Sequence, residues 1–88
     1  MNITYDPDKN KLNTKKHGID LAEIEGVFYD GRAITIEDRD HPEERFVTLG
    51  KDGFDRLLVV AYHYRGENGI RIISARPAGS HERRAYYP

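Results

Sequence analysis

The chain has 88 residues, 14 lysines and arginines against 15 acids, no cysteine and a net charge of −1. That length fits one domain with one core, leaves little room for an enclosed cavity, and puts any site on an open surface or shallow groove. The absent cysteines exclude a disulfide frame, a thiolate metal site and a thiol nucleophile. No apolar run approaches membrane-spanning length and the N-terminus lacks a signal-peptide pattern, which suits a soluble cytoplasmic protein.

Asn2-Ile3-Thr4-Tyr5 reads as a short first strand. Asp6-Pro7 is a helix start, with Asp6 as N-cap and Pro7 at the first helical position. The helix runs through Lys9, Lys11, Leu12, Lys15 and Lys16 to His17, and Gly18 suits the position after its end. Its only clearly apolar position is Leu12, so it belongs on the surface. Asp20 and Glu23 have capping-box spacing, and Ile19 and Ile24 have hydrophobic-staple spacing. Leu21, Ile24, Val27 and Phe28 then predict a second helix with one buried face, ended by Asp30-Gly31. Ala33–Ile36 and Arg45–Gly50 read as strands around a charged loop, Glu37–Glu44. Leu57–Arg65 and Ile70–Arg76 flank a Gly/Asn loop and predict a hairpin. Pro77-Ala78-Gly79 ends it, and Ser80 is placed to cap a short helix over His81–Tyr87. The expected fold is α+β: helices on a small antiparallel sheet of about four strands.

Charge is unevenly spread. Residues 1–18 carry four lysines against two aspartates (+2), and residues 19–45 nine acids against three arginines (−6). Residues 46–69 balance, and residues 70–88 carry four arginines against one glutamate (+3). A fold that joins the two ends builds a basic patch that the average conceals. The acidic middle repels polyanions and is expected to face solvent or to hold a basic partner segment.

The hairpin arginines are the main chemical candidates. A two- or four-residue loop puts Arg65 and Arg76 on one face with His63 and Ser74; a three- or five-residue loop puts Arg65 with Arg71. A solvated face explains such a pair, and so does phosphate binding, since guanidinium matches phosphate geometry. His17, His41, His63 and His81 show no metal-binding spacing. His17 has a role at the helix end, and His63 fits a packed strand. The acidic loop lacks the spacing of a calcium loop. Glu82-Arg83-Arg84-Ala85-Tyr86-Tyr87 offers cations and aromatic rings on which bases stack, or a terminal helix that packs Tyr86 on the sheet.

The ordered set Tyr5-Asp6-Pro7, Asn13, Lys16-His17-Gly18, Val27-Phe28, Tyr62 with Arg65, Ile70 to Arg76, and Glu82-Arg83-Arg84 with Tyr86 resembles BrnT-type toxins of bacterial type II toxin–antitoxin systems. The likeness covers nearly the whole chain, and the family often has Trp where this chain has Tyr5. The resemblance implies one RelE-like toxin domain over residues 1–88. It implies a ribonuclease that inhibits translation by RNA cleavage through the ribose 2′-hydroxyl, without metal or cofactor. It also implies neutralisation by a BrnA-like antitoxin in a heterotetramer that reaches operator DNA only through the antitoxin. An inactive relative that keeps only the antitoxin-binding role is the alternative. Carried onto this chain, the expected catalytic positions are Arg65, Arg76, His17 and Lys16, with Arg83 and Tyr86 on RNA; the hairpin register decides whether Arg71 joins them on RNA. Arg65 and Arg76 are expected to clamp the reacting phosphate.

Overall fold

The computed structural model describes all of residues 1–88. Strand β1 (Asn2–Tyr5) leads into helix α1 (Pro7–His17). Two 3-10 turns follow at Leu21–Glu23 and Glu25–Tyr29. Strands β2 (Ile34–Asp38), β3 (Arg45–Lys51), β4 (Leu57–Arg65) and β5 (Gly69–Pro77) come next, then helix α2 (Ser80–Tyr86). The sheet order is β1-β5-β4-β3-β2.

Two expectations are corrected here. The sheet has five strands, and it is mixed: β1 runs parallel to β5, with Ile3 opposite Ile70 and Tyr5 opposite Ile72. A parallel pair needs a long crossover. The whole of residues 6–68 supplies it. The second helix is replaced by the two 3-10 turns. Its apolar positions Leu21, Ile24 and Val27 recur every third residue, the repeat that eclipses side chains in a 3-10 turn. All three are buried.

The signals at α1 are realised. The Asp6 carboxylate accepts from the Asp8 N–H at 2.9 Å. Gly18 takes the left-handed conformation, φ 72°, and its N–H reaches the Thr14 carbonyl. At α2 the cap shifts by one: Gly79 is the N-cap, Ser80 is already helical, and Glu82 accepts from the Gly79 N–H at 2.6 Å.

One face of the sheet carries the core. Leu58, Val60, Tyr62, Ile70, Ile72 and Ala75 pack against Ile19, Leu21, Ile24 and Val27. Burying such side chains contributes ~1.5–3 kcal/mol each. The other face is covered only at one end, where Tyr86 of α2 packs on Leu49 and Leu57.

β1 pairs with β5 only as far as Ile72, so the edge of β5 beyond it is open to α1. Asn13 closes it. Its amide accepts from the Ala75 N–H at 3.2 Å and donates to the Ala75 carbonyl at 3.0 Å. The same amide nitrogen donates to the Ile19 carbonyl at 2.8 Å. A buried side-chain amide thus takes the place of a missing strand.

A second polar anchor holds α2. The Tyr86 hydroxyl donates to Asp30 Oδ2 at 2.5 Å, and the same oxygen accepts from the Lys51 N–H at 2.8 Å. Partial burial opposes ionisation of Asp30, but the hydrogen bonds from Lys51, Tyr86 and Arg32 outweigh it and hold its carboxyl below the usual range. The bond to Asp30 raises the Tyr86 phenol in turn. A lowered Asp30 stabilises the fold above about pH 4 and loses that contribution as pH falls through its folded value. A raised Tyr86 contributes below about pH 10 and loses that as pH rises through its folded value. Urea midpoints of wild type and Tyr86→Phe are therefore expected to differ most at mid-range pH and to converge at both extremes. A constant gap from pH 3 to 11 contradicts the coupling.

Candidate functional site

The hairpin register decides which arginines share a face. Arg65 pairs with Gly69 and His63 with Arg71, so the loop is the three residues Gly66–Asn68. Gly66 turns it with φ 66°. A Cβ on Gly69 would collide with the Arg65 carbonyl oxygen. Gly69→Ala is thus expected to break the Arg65–Gly69 rung and to speed amide exchange at the hairpin tip. Unchanged exchange there would count against this closure.

A β-bulge then changes the phase of β5. Tyr62 pairs with Ile72 and Ala61 with Ser74, leaving Ile73 as the extra residue. Before the bulge, Ile70 and Ile72 point into the core; after it, Ala75 does. Arg71, Ser74 and Arg76 consequently share the open face with His63 and Arg65. Both groupings expected from loop length are met at once: the three-residue loop groups Arg65 with Arg71, and the bulge returns Arg76 to them.

Arg65 and Arg76 still do not clamp one phosphate. Arg65 ends β4 and Arg76 sits opposite Val59, six residues back along that strand. Six residues of strand span ~20 Å. Arg76 is also engaged, donating to Glu82 at 3.0 Å and to the Pro77 carbonyl at 3.2 Å. That guanidinium, with the Gly79 N–H, holds the Glu82 carboxyl below the usual range. Antiparallel strands end at opposite edges, so two residues that each end a strand of one hairpin lie apart.

What β5 does meet is α1. Lys9, Leu12, Asn13, Lys16 and His17 fall at i, i+3, i+4, i+7 and i+8, one helix face. They flank a shallow groove floored by Ile73 and Ser74. Lys9 and Ile73 also border the next groove, which contains His41, Glu43, Arg45 and His63. The expected site residues Lys16 and His17 thus lie beside the sheet face that carries Arg65, Arg71 and Arg76. None of Lys9, Lys16, Arg65 or Arg71 forms an ion pair within the chain. The result is a basic track along β5 and α1.

Arg83 and Tyr86 are not on that track. Arg83 lies on α2 with its guanidinium 5.7 Å from the Tyr87 ring. Tyr86 is only 7% exposed and gives its hydroxyl to Asp30, so its ring has no free face for a base. Lys9 is missed by reading the sequence alone, which leaves it on a solvated helix, and His63, though placed on the face of Arg65, is read there as a packed strand residue. The signal for Lys9 is its spacing from Lys16 and His17 on one helix face. The signal for His63 is its two-residue offset from Arg65.

Residues 5–82 match the family model described as the ribonuclease toxin BrnT of type II toxin–antitoxin systems. Among solved structures, the chain is similar to the Brucella abortus ribonuclease toxin BrnT. The two are 24% identical, the match covers 91% of this chain and 99% of that one, and the TM-score is 0.74. At that identity the likeness shows the fold. No curated protein matches the chain.

Proposed function

The chain belongs to the BrnT family of ribonuclease toxins of type II toxin–antitoxin systems, and we propose that it is an endoribonuclease whose RNA strand follows β5 and α1. The observation that carries this is the unpaired basic track: Arg65 and Arg71 with His63 on the open sheet face, continued by Lys9, Lys16 and His17. The family implies an antitoxin partner. We take that partner to be BrnA-like, joined in a heterotetramer that contacts operator DNA through the antitoxin. Translation stops because RNA is cut.

The reaction is metal-independent transesterification. A base takes the proton of a ribose 2′-hydroxyl, and O2′ attacks the adjacent phosphorus. The bond from phosphorus to the 5′-oxygen then breaks, and that oxygen receives a proton. The products are a 2′,3′-cyclic phosphate and a 5′-hydroxyl. Arg65 and Arg71 hold the anionic phosphorane, where a fixed donor is worth ~3–4 kcal/mol. Imidazole is the side chain suited to exchanging protons near neutrality, which assigns proton transfer to His63 and His17. Lys16, beside Ile73 and Ser74, and Arg76, beyond them, hold successive phosphates further along β5 from the reacting one, and Arg83 is left outside the track.

The test is inducible expression without the antitoxin. Wild type is expected to arrest growth and degrade RNA, and Arg65→Ala to do neither. Arg76→Ala is expected to cost only ~10-fold in cleavage, since its guanidinium is shared with Glu82 and sits away from the reacting phosphate. Arg76→Ala as inactive as Arg65→Ala would restore the single-phosphate clamp. No cleavage by wild type, together with operator binding by the toxin–antitoxin mixture, would identify an inactive relative that serves as half of a repressor.

A further inference from the structure

The open sheet face has a second region unlike the basic track. In one row Ile34 pairs with Leu49 and Leu49 with Val59; in the next, Ile36 pairs with Val47 and Val47 with Ala61. Ile36 is 61% exposed and Ile34 41% exposed. Ala85 and Glu82 of α2 wall the region at one end. β2 is also the sheet's outer strand, so its backbone edge is free. Tyr86 of α2 packs over Leu49 and Val59, but Ile34 and Ile36 stand uncovered beside the free strand edge, which an isolated domain avoids.

The border of the region says what covers it. Past Ile36 the chain enters the loop between β2 and β3. Asp38 is paired with His41 and Arg45, and Glu37 with Arg39. Asp40, Glu43 and Glu44 have no cationic partner in the chain. RNA is repelled by these carboxylates and finds no free cation among the apolar rows. Of the arginines bordering the region, Arg76 is bound to Glu82 and Arg45 lies 3.7 Å from Asp38 of its own chain, which leaves a second copy only Arg32 to offer the acidic loop. The complementary occupant has an apolar stripe and its own cations.

We infer that these two rows and the acidic loop receive a basic amphipathic segment of the antitoxin. Its apolar side chains lie on Ile34, Ile36 and Val47, and its lysines or arginines meet Asp40, Glu43 and Glu44. This rests on the family reading that an antitoxin exists; it adds where that partner sits and what chemistry it presents. The position also explains neutralisation. The rung beyond Ala61 carries His63, so a segment on these rows borders the RNA track and blocks its approach.

The experiment is calorimetric titration of the purified toxin with the protein encoded by the adjoining reading frame. It compares wild type, Ile36→Glu and the double variant Glu43→Lys/Glu44→Lys. Ile36 is exposed, so its replacement leaves the fold intact, with thermal unfolding as the check. Ile36→Glu is expected to weaken binding at least ~30-fold, the scale of an interface anchor. The charge reversal is expected to weaken it ~10-fold at low salt and to flatten its salt dependence, as rim charges do. RNA cleavage by free Ile36→Glu should equal that of wild type. Wild-type antitoxin affinity in Ile36→Glu overturns the proposal. So does conversion of a toxin dimer to monomer with antitoxin affinity intact, which would make a second copy the occupant. Lost cleavage with intact antitoxin binding would assign the rows to substrate and also overturn it. Binding is read directly, so a failed cleavage assay counts against the ribonuclease reading and leaves this result standing.

Discussion

Arg71→Ala is expected to slow RNA cleavage ~10²–10³-fold, the cost of removing one preorganised donor from a developing oxyanion. Arg71 lies opposite His63 on β4 and opposite Thr4 on β1, so strands on both sides fix its backbone. No ion pair competes for it, and its loss leaves no buried charge behind. Stability should therefore stay within about 0.5 kcal/mol of wild type, as for surface replacements. Steady-state kinetics on a short labelled RNA, with a melting curve beside them, check both parts. Arg71→Lys keeps the charge but loses the planar fork, so only a partial return of activity is expected. The salt slope of RNA binding should fall by about one contact in Arg71→Ala. Cleavage at wild-type rate would remove Arg71 from the site.

Asn13→Asp is expected to destabilise the fold by ~2–4 kcal/mol, because buried carbonyls lose their donor and face a carboxylate instead. The bond from the Ala75 N–H survives, but the Ala75 carbonyl loses its side-chain donor and the Ile19 carbonyl keeps only the longer bond from the Thr14 hydroxyl at 3.3 Å. In a domain of this size the melting temperature should fall ~10–20 °C. The substitution is nearly isosteric, so packing does not explain such a loss. It also frees α1 from the edge of β5, and with α1 go Lys9, Lys16 and His17. Cleavage should fall together with the fraction folded. A melting temperature within about two or three degrees of wild type would show that Asn13 does not hold the edge.

Local chemistry is legible in the sequence, and long-range pairing is not. Asp6, Pro7 and Gly18 bracket α1 because a cap is satisfied within a few residues of its own position. The β3, β4 and β5 runs are apolar enough to be read as strands wherever they pair. Residues Asn2–Tyr5 do form a strand, but four residues carry no signal of a partner that begins at Gly69, or of its parallel direction. The bulge at Ile73 escapes a period-two reading, which assumes a continuous ladder. Its trace is the pair Ile72-Ile73 followed by a buried Ala75 out of phase with Ile70.

The site divides in the same way. Lys16, His17, Arg65 and Arg71 can be proposed from residue type and order; Arg65 and Arg71 share a sheet face, and Lys16 and His17 line a groove over Ile73 and Ser74 further along β5. The single clamp of Arg65 and Arg76 does not survive, because opposite ends of an antiparallel pair cannot meet. Tyr86 reads equally as a stacking platform or as packing. Packing prevails through Asp30, 56 residues away in the chain, a partner no local pattern announces.

RNA cleavage along β5 and α1 through the ribose 2′-hydroxyl is tested most directly with two substrates. The purified protein, with a chelator present, is incubated with a 5′-labelled RNA and with the same RNA carrying one 2′-deoxy nucleotide at the mapped cut. Wild type is expected to cut the first to a 2′,3′-cyclic phosphate end and to leave the second intact at that position, and Arg65→Ala/Arg71→Ala to cut neither. Cutting of the deoxy-substituted strand at the same place and rate, or full activity in the double variant, would refute this mechanism.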